Sequence, residues 1–270
     1  MDMHKPSGFR DYLISLLIAS ALTVFFGCYL LIRRGYFFDA PPTADMLYVP
    51  NKAIVGVGTV LLAFAFLIGP IVRYFDRFDK WLGYRKEIGI VGGFLVFFHA
   101  FISYFMLPLK FPQVYLTFDS LPFAAGLIGT VLLLFLFIIS FKRAIDLIGA
   151  SRWWFLQRWG LRLVILFTLI HVYAMKWSGW MKWLKFGGGT PTAELANPSL
   201  AGLGILVMLF VTWVVIVRLY ESIFVFKDFG LVTKEIAMNE QLKARGRRFF
   251  ISSFWVLLII YFFVLTRWMW

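Results

Sequence analysis

At 270 residues, 61% of them hydrophobic and 15% charged, the chain is too apolar to fold as a water-soluble globule. Its net charge of +13 would suit nucleic acid, but the basic residues gather in short segments between apolar runs, a pattern of membrane orientation. The single cysteine, Cys28, excludes an internal disulfide and any thiolate cluster.

Apolar runs of about 18 residues or more read as transmembrane helices. Seven are present, at 12–32, 53–73, 88–109, 123–141, 159–178, 200–217 and 249–267. Helices satisfy their own backbone groups where lipid cannot. The prediction is one all-α membrane domain over 1–270, a polytopic bundle of about seven spans in contact with membrane lipid. Nothing remains for a soluble domain, and no internal repeat stands out.

Lys5 and Arg10 ahead of the first run resemble the start of a signal sequence. The run is long and lacks a small-residue cleavage site, so an uncleaved anchor is expected. "FFGC", ending at Cys28, looks faintly like a lipoprotein cleavage site, but hydrophobic residues continue past it. His4 falls in the polar tail and reads as solvated.

The segment after the second span carries Arg73, Arg77, Lys80, Arg85 and Lys86. The segment after the fourth carries Lys142, Arg143, Arg152 and Arg158, and that after the sixth carries Lys227, Lys234, Lys243, Arg245, Arg247 and Arg248. The opposite side holds Arg33, Arg34, Lys52, Lys110, Lys176, Lys182 and Lys185. Positive-inside counting places the N-terminus in the cytoplasm and the C-terminus outside. Within the sixth span Arg218, with Glu221 one turn later, marks the inner end. "TKEIAMNEQLKARGRR" suits a short amphipathic surface helix, and Gly187–Gly189, without the Lys-Ser/Thr of a phosphate loop, reads as a flexible connection. Trp-rich ends such as "WSGWMKW" and "RWMW" suit interfacial anchoring.

The most informative pattern involves two histidines. His99 lies thirteen residues after Lys86 and His171 thirteen after Arg158, each counted from the basic start of its span. Both spans run the same way. At about 1.5 Å per residue, each imidazole sits about 20 Å above that boundary, so the two share one level in the outer half of a core about 30 Å thick. A single histidine is satisfied by a backbone carbonyl or a hydroxyl such as Thr168 or Ser103. Two at one depth on different helices suit the axial positions of a haem iron, and no acidic cluster or thiolate suggests another metal. Polar groups at such depth are costly and usually functional. Gly89, Gly92 and Gly93 thin the third span for a close neighbour.

"YRKEIGIVGGFLVFFHAFISYF" and "SRWWFLQRWGLRLVILFTLIHVY" carry a family resemblance. The first resembles the "RR-x-L-G" helix, ending in a ligand histidine, of the ferric-reductase-like transmembrane domain family. The second resembles that family's "W-x-x-L-H-R" entry followed by a further histidine. The family includes ferric reductases, NADPH oxidases and the haem subunit of the bacterial periplasmic methionine sulfoxide reductase system. The likeness is strongest over 80–180, within a core of approximately 53–217. It implies haem b held by His99 and His171 as ligands of the outer haem, in a bacterial inner (plasma) membrane. The departure is Gln157, which stands where the family has an inner histidine, so one haem is expected and not two.

An integral membrane cytochrome b-like electron-transfer component of an oxidoreductase is therefore expected. Its donor would be membrane quinol, or a flavin held with Trp153, Trp154 and Gln157 at the inner face, where indoles stack on flat rings and an amide bonds a carbonyl. Its acceptor would be a redox partner protein or a soluble acceptor such as ferric iron or oxygen on the outer face. Lys176 and Trp177, just beyond His171, would meet the propionates. A plain interfacial belt explains the same tryptophans. The competing class is a haem-free scaffold or small transporter whose histidines only join helices, although no broken-helix pair marks an ion-coupled site.

Overall fold

The computed structural model describes residues 9–35, 47–107, 120–192, 195–225 and 240–267. The expectations for His4, Lys5, Lys110, Lys227 and Lys234 fall outside them. Among the described residues seven helices are long and apolar enough to cross a membrane, and no sheet is present beyond one isolated bridge between Thr192 and Leu195. The seven spans are Phe9–Arg34, Tyr48–Phe75, Asp79–Phe101 with a π turn over Ile102–Met106, Leu121–Ile138, Ala150–Phe186, Leu203–Tyr220 with a π turn over Glu221–Val225, and Glu240–Thr266. A short helix, Lys142–Ile148, joins the fourth span to the fifth.

Several helices overrun their apolar segments. The fifth extends from Ala150 to Phe186 and so includes Arg152, Arg158 and Lys176. At 37 residues it is about 55 Å long, well beyond the hydrocarbon core. Nothing breaks it before Gly187, which takes a left-handed conformation (φ 70°) and donates its N–H to the Trp183 carbonyl. Gly188 and Gly189 also have positive φ, so the triplet forms the turn that stops the helix. The seventh helix begins at Glu240. Residues 240–248, predicted as part of a separate surface helix, therefore continue directly into the membrane span.

The second span is the axis of the bundle, and its small residues explain why. Ala53, Val57, Ala63 and Ala65 are buried, with the first, third and sixth spans packed around them. Gly58 and Gly92 meet at the crossing of the second and third spans. A Cβ on Gly58 would lie 2.9 Å from the Gly92 carbonyl, and one on Gly92 would lie 3.0 Å from that of Gly58. Of the three glycines expected to thin the third span, Gly92 makes this crossing, Gly93 faces Leu133 of the fourth span, and Gly89 meets nothing within 4 Å. Gly92→Leu should destabilise the bundle by about 1–3 kcal/mol, as overpacked interiors do. Gly89→Leu should change the thermal unfolding midpoint little. Equal midpoints for the two variants would show that the crossing is not close.

The fourth and fifth spans form the other tight pair. Leu136 lies over Gly160, Phe167 Cβ approaches Gly129, and His171 lies against Gly126. Gly160, Phe167 and His171 fall on one face of the fifth helix by their spacing. The third span packs chiefly on the second and the fifth chiefly on the fourth. The two histidines thus belong to two separate helix pairs.

Candidate functional site

His99 lies about two turns before the end of the third span's regular and π-helical stretch, at the level where the second span begins. Its Nδ1 is 2.9 Å from Oδ1 of Asn51, the fourth residue of the second helix. Asn51 is buried, and its Nδ2 donates to Ser103 Oγ at 3.1 Å. Ser103 stands one turn after His99, 3.4 Å from the same ring nitrogen. The π turn begins at Ile102, whose N–H reaches the carbonyls of Phe98 and His99. Such turns re-aim side chains and recur at functional sites.

His171 is held by the fourth span. Its Nδ1 lies 2.6 Å from the backbone oxygen of Pro122, in the first turn of that helix. Gly126, one turn on, leaves room for the ring: a Cβ there would be 2.8 Å from Nδ1 and 3.1 Å from Cε1. A proline that starts the helix and a glycine four residues later together form the seat for this imidazole.

The Pro122 carbonyl can only accept, so His171 Nδ1 carries the hydrogen. The amide orientation of Asn51, with Nδ2 turned to Ser103, gives His99 the same tautomer. Each ring then has its Nε2 lone pair available as a ligand. An Nδ1–H anchored to a carbonyl oxygen is the usual support for a metal-binding imidazole. The two rings are near enough for a charge on one to act on the other. No group of three His, Cys, Asp or Glu side chains is assembled among the described residues. A porphyrin supplies four nitrogens and asks for two axial ones, which is the number and kind of donor that two neutral imidazoles offer.

Lys176 and Trp177 sit on the fifth helix just beyond His171, and both are exposed. The Lys176 charge acts on Tyr48 and Lys52 of the second span. Lys52 donates to the Tyr48 hydroxyl, and Arg34 lies 4.1 Å from the centre of the Tyr48 ring. The predicted propionate-binding lysine thus belongs to a cationic group, at the end where the histidines lie, that includes Arg34 and Lys52. Trp177 packs on Tyr173, with 5.8 Å between ring centres.

At the opposite end, Gln157 Nε2 donates to the Leu136 carbonyl at 3.1 Å and to Ser140 Oγ at 2.9 Å. Trp153 Nε1 donates to the Ile139 carbonyl at 2.8 Å. Both side chains fasten the fifth span to the fourth, while Trp154 is exposed against the edge of Trp153. A crevice of about 410 Å³ opens nearby, lined by Ile148, Ser151, Arg152, Phe155 and Leu156. None of the three residues expected to hold a quinone or flavin lines it.

Asn51, Pro122 and Gly126 escaped the sequence reading. The spacing of Pro122 and Gly126, one helical turn apart in "PFAAG", was the available signal. No protein-family model matches this chain, and no curated protein matches it. The fold and the site together define a polytopic helical membrane protein with two hydrogen-bonded imidazoles near one end of the bundle.

Proposed function

We propose that the protein is an integral membrane cytochrome b-like electron-transfer component, with His99 and His171 as axial ligands of one haem b. The observation that carries the reading is the matched state of the rings: each Nδ1 is fixed to an oxygen of a neighbouring helix, each Nε2 is left basic, and the two lie within electrostatic reach. The resemblance of residues 80–180 to the ferric-reductase-like transmembrane family supports the same assignment. The proposed setting is a bacterial inner membrane with the histidines in the half away from the cytoplasm, an orientation that the charge asymmetry of the connecting segments supports.

A haem held there supplies a one-electron couple, and the chain supplies ligands, orientation and a low dielectric. Asn51 and Pro122 fix the ring planes and keep the ligating nitrogens unprotonated. Arg34, Lys52 and Lys176 offer positive charge to the propionates. A second haem finds no support. Gln157 is committed to the fourth span, and Arg85 on the third donates Nε to the Ala65 carbonyl. Electrons enter from membrane quinol or a flavin partner and leave to an acceptor on the outer face, a redox protein, ferric iron or oxygen.

The same Nδ1 bonds favour a second reading, a haem-free scaffold or transporter in which the histidines only tie helices together. A redox-difference spectrum of the purified protein, with haem quantified per chain, separates the two. The expected result is a sharp Soret band, one haem per chain, and loss of the band in both His99→Ala and His171→Ala. A colourless, well-folded preparation from haem-replete cells would leave the scaffold.

A further inference from the structure

The two imidazoles are supported in different ways. His171 Nδ1 donates to the backbone carbonyl of Pro122 at 2.6 Å, an acceptor that belongs to the helix itself and cannot turn. His99 Nδ1 meets a side chain, Oδ1 of Asn51, at 2.9 Å. An amide offers an acceptor at one end and a donor at the other, so its orientation fixes which ring nitrogen carries the hydrogen. With Oδ1 toward the ring, the hydrogen stays on Nδ1. Reversed, the amide would present N–H to Nδ1, the hydrogen would move to Nε2, and the nitrogen that could bind a metal would be blocked.

Two further observations make this amide more than a tie between helices. Asn51 is 3% exposed, on the span that forms the axis of the bundle, where a polar group is costly unless its bonds are made. Its partners also form a closed triangle. Asn51 Nδ2 donates to Ser103 Oγ at 3.1 Å, and Ser103 Oγ is itself 3.4 Å from His99 Nδ1. Helical serines commonly return the hydroxyl to the carbonyl four residues back. Ser103 lies instead in the π turn over Ile102–Met106, with its hydroxyl at Asn51 and the ring. It stands as a second, weaker acceptor for the same Nδ1–H.

We propose that Asn51 is a positioning residue that sets the reduction potential of the site, by selecting the His99 tautomer and the basicity of its Nε2, with Ser103 as reserve acceptor. The inference rests on the haem reading. A stronger acceptor on the non-ligating nitrogen makes the imidazole a better donor and favours the ferric state. Asn51→Asp keeps an acceptor at the ring and places another toward the Ser103 hydroxyl, so it should lower the midpoint potential. Asn51→Leu removes the acceptor; it should raise the potential and weaken haem affinity about 10–100-fold.

The tautomer is read separately, by nitrogen NMR of isotope-labelled histidine in the haem-free, full-length protein at a pH where the rings are neutral. The chain has three histidines, and His99→Gln identifies the signal that matters. Wild type and Asn51→Asp should hold His99 as Nδ1–H. Asn51→Leu should shift it partly toward Nε2–H, and Asn51→Leu with Ser103→Ala should shift it further, while His171 stays unchanged in all four. A wild type that takes up no haem would remove the haem reading and the potential with it, whereas the tautomer series would still decide what Asn51 does. His99 found as Nε2–H in wild type, a tautomer indifferent to the double replacement, or a haem-loaded Asn51→Asp with an unmoved potential would each overturn the proposal.

Discussion

Replacing Glu221 with alanine should cost about 3–5 kcal/mol of stability, the usual consequence of removing one partner from a buried ion pair. The effect is large because the carboxylate is shared. It neutralises Arg73 from the second span and Arg218 from its own helix, and its side chain is 1% exposed. The two arginines differ. The Arg73 side chain is 37% exposed and can turn to water when its partner is lost, whereas that of Arg218 is 12% exposed and remains buried. Arg73→Gln should therefore cost less than Glu221→Ala. A double replacement, Arg218→Met with Glu221→Leu, should be less damaging than Glu221→Ala alone, since it removes a buried charge of each sign. Unfolding in graded denaturant mixtures measures all three. A Glu221→Ala variant within about 1 kcal/mol of wild type would mean that the carboxylate is not the shared counter-charge of Arg73 and Arg218.

The sequence made the spans legible because hydropathy averages over about twenty residues and tolerates local error. Their ends were less legible for the same reason. Helical hydrogen bonding continues through "WSGWMKWLKF" until Gly187 stops it, although the apolar run ends earlier. This matters for the site. A second span expected to begin at 53 leaves Asn51 in a connecting loop, and a fourth expected to begin at 123 excludes Pro122. Both residues lie in the first turn or so of their helices and hold the histidine rings. The histidines themselves stood out through their equal distance from basic boundaries, a property of single spans. Their partners depend on which spans adjoin, and no local pattern encodes that. Likewise the Arg218–Glu221 step was visible along one helix, while the Arg73 bond joins residues 148 positions apart.

Gly126→Val should empty the proposed haem site without altering either histidine. The added Cβ would stand 2.8 Å from His171 Nδ1, 3.1 Å from Cε1 and 3.4 Å from Cγ, against one whole edge of the ring. The imidazole must then withdraw from the Pro122 carbonyl, losing its 2.6 Å bond and its fixed orientation. Iron ligation requires a defined ring direction, and the support of the non-ligating nitrogen commonly accounts for 10–100-fold in metal affinity. Haem per chain in Gly126→Val should thus fall nearly as far as in His171→Ala, with helix content in the far-UV spectrum retained. Gly89→Val in the third span is the matched control, because a Cβ there meets nothing within 4 Å. Overpacking alone would cost Gly126→Val about 1–3 kcal/mol of stability whether or not haem binds, so the decisive reading is absorbance per folded chain. A variant that keeps its full Soret band would show that His171 holds no iron through the seat formed by Pro122 and Gly126.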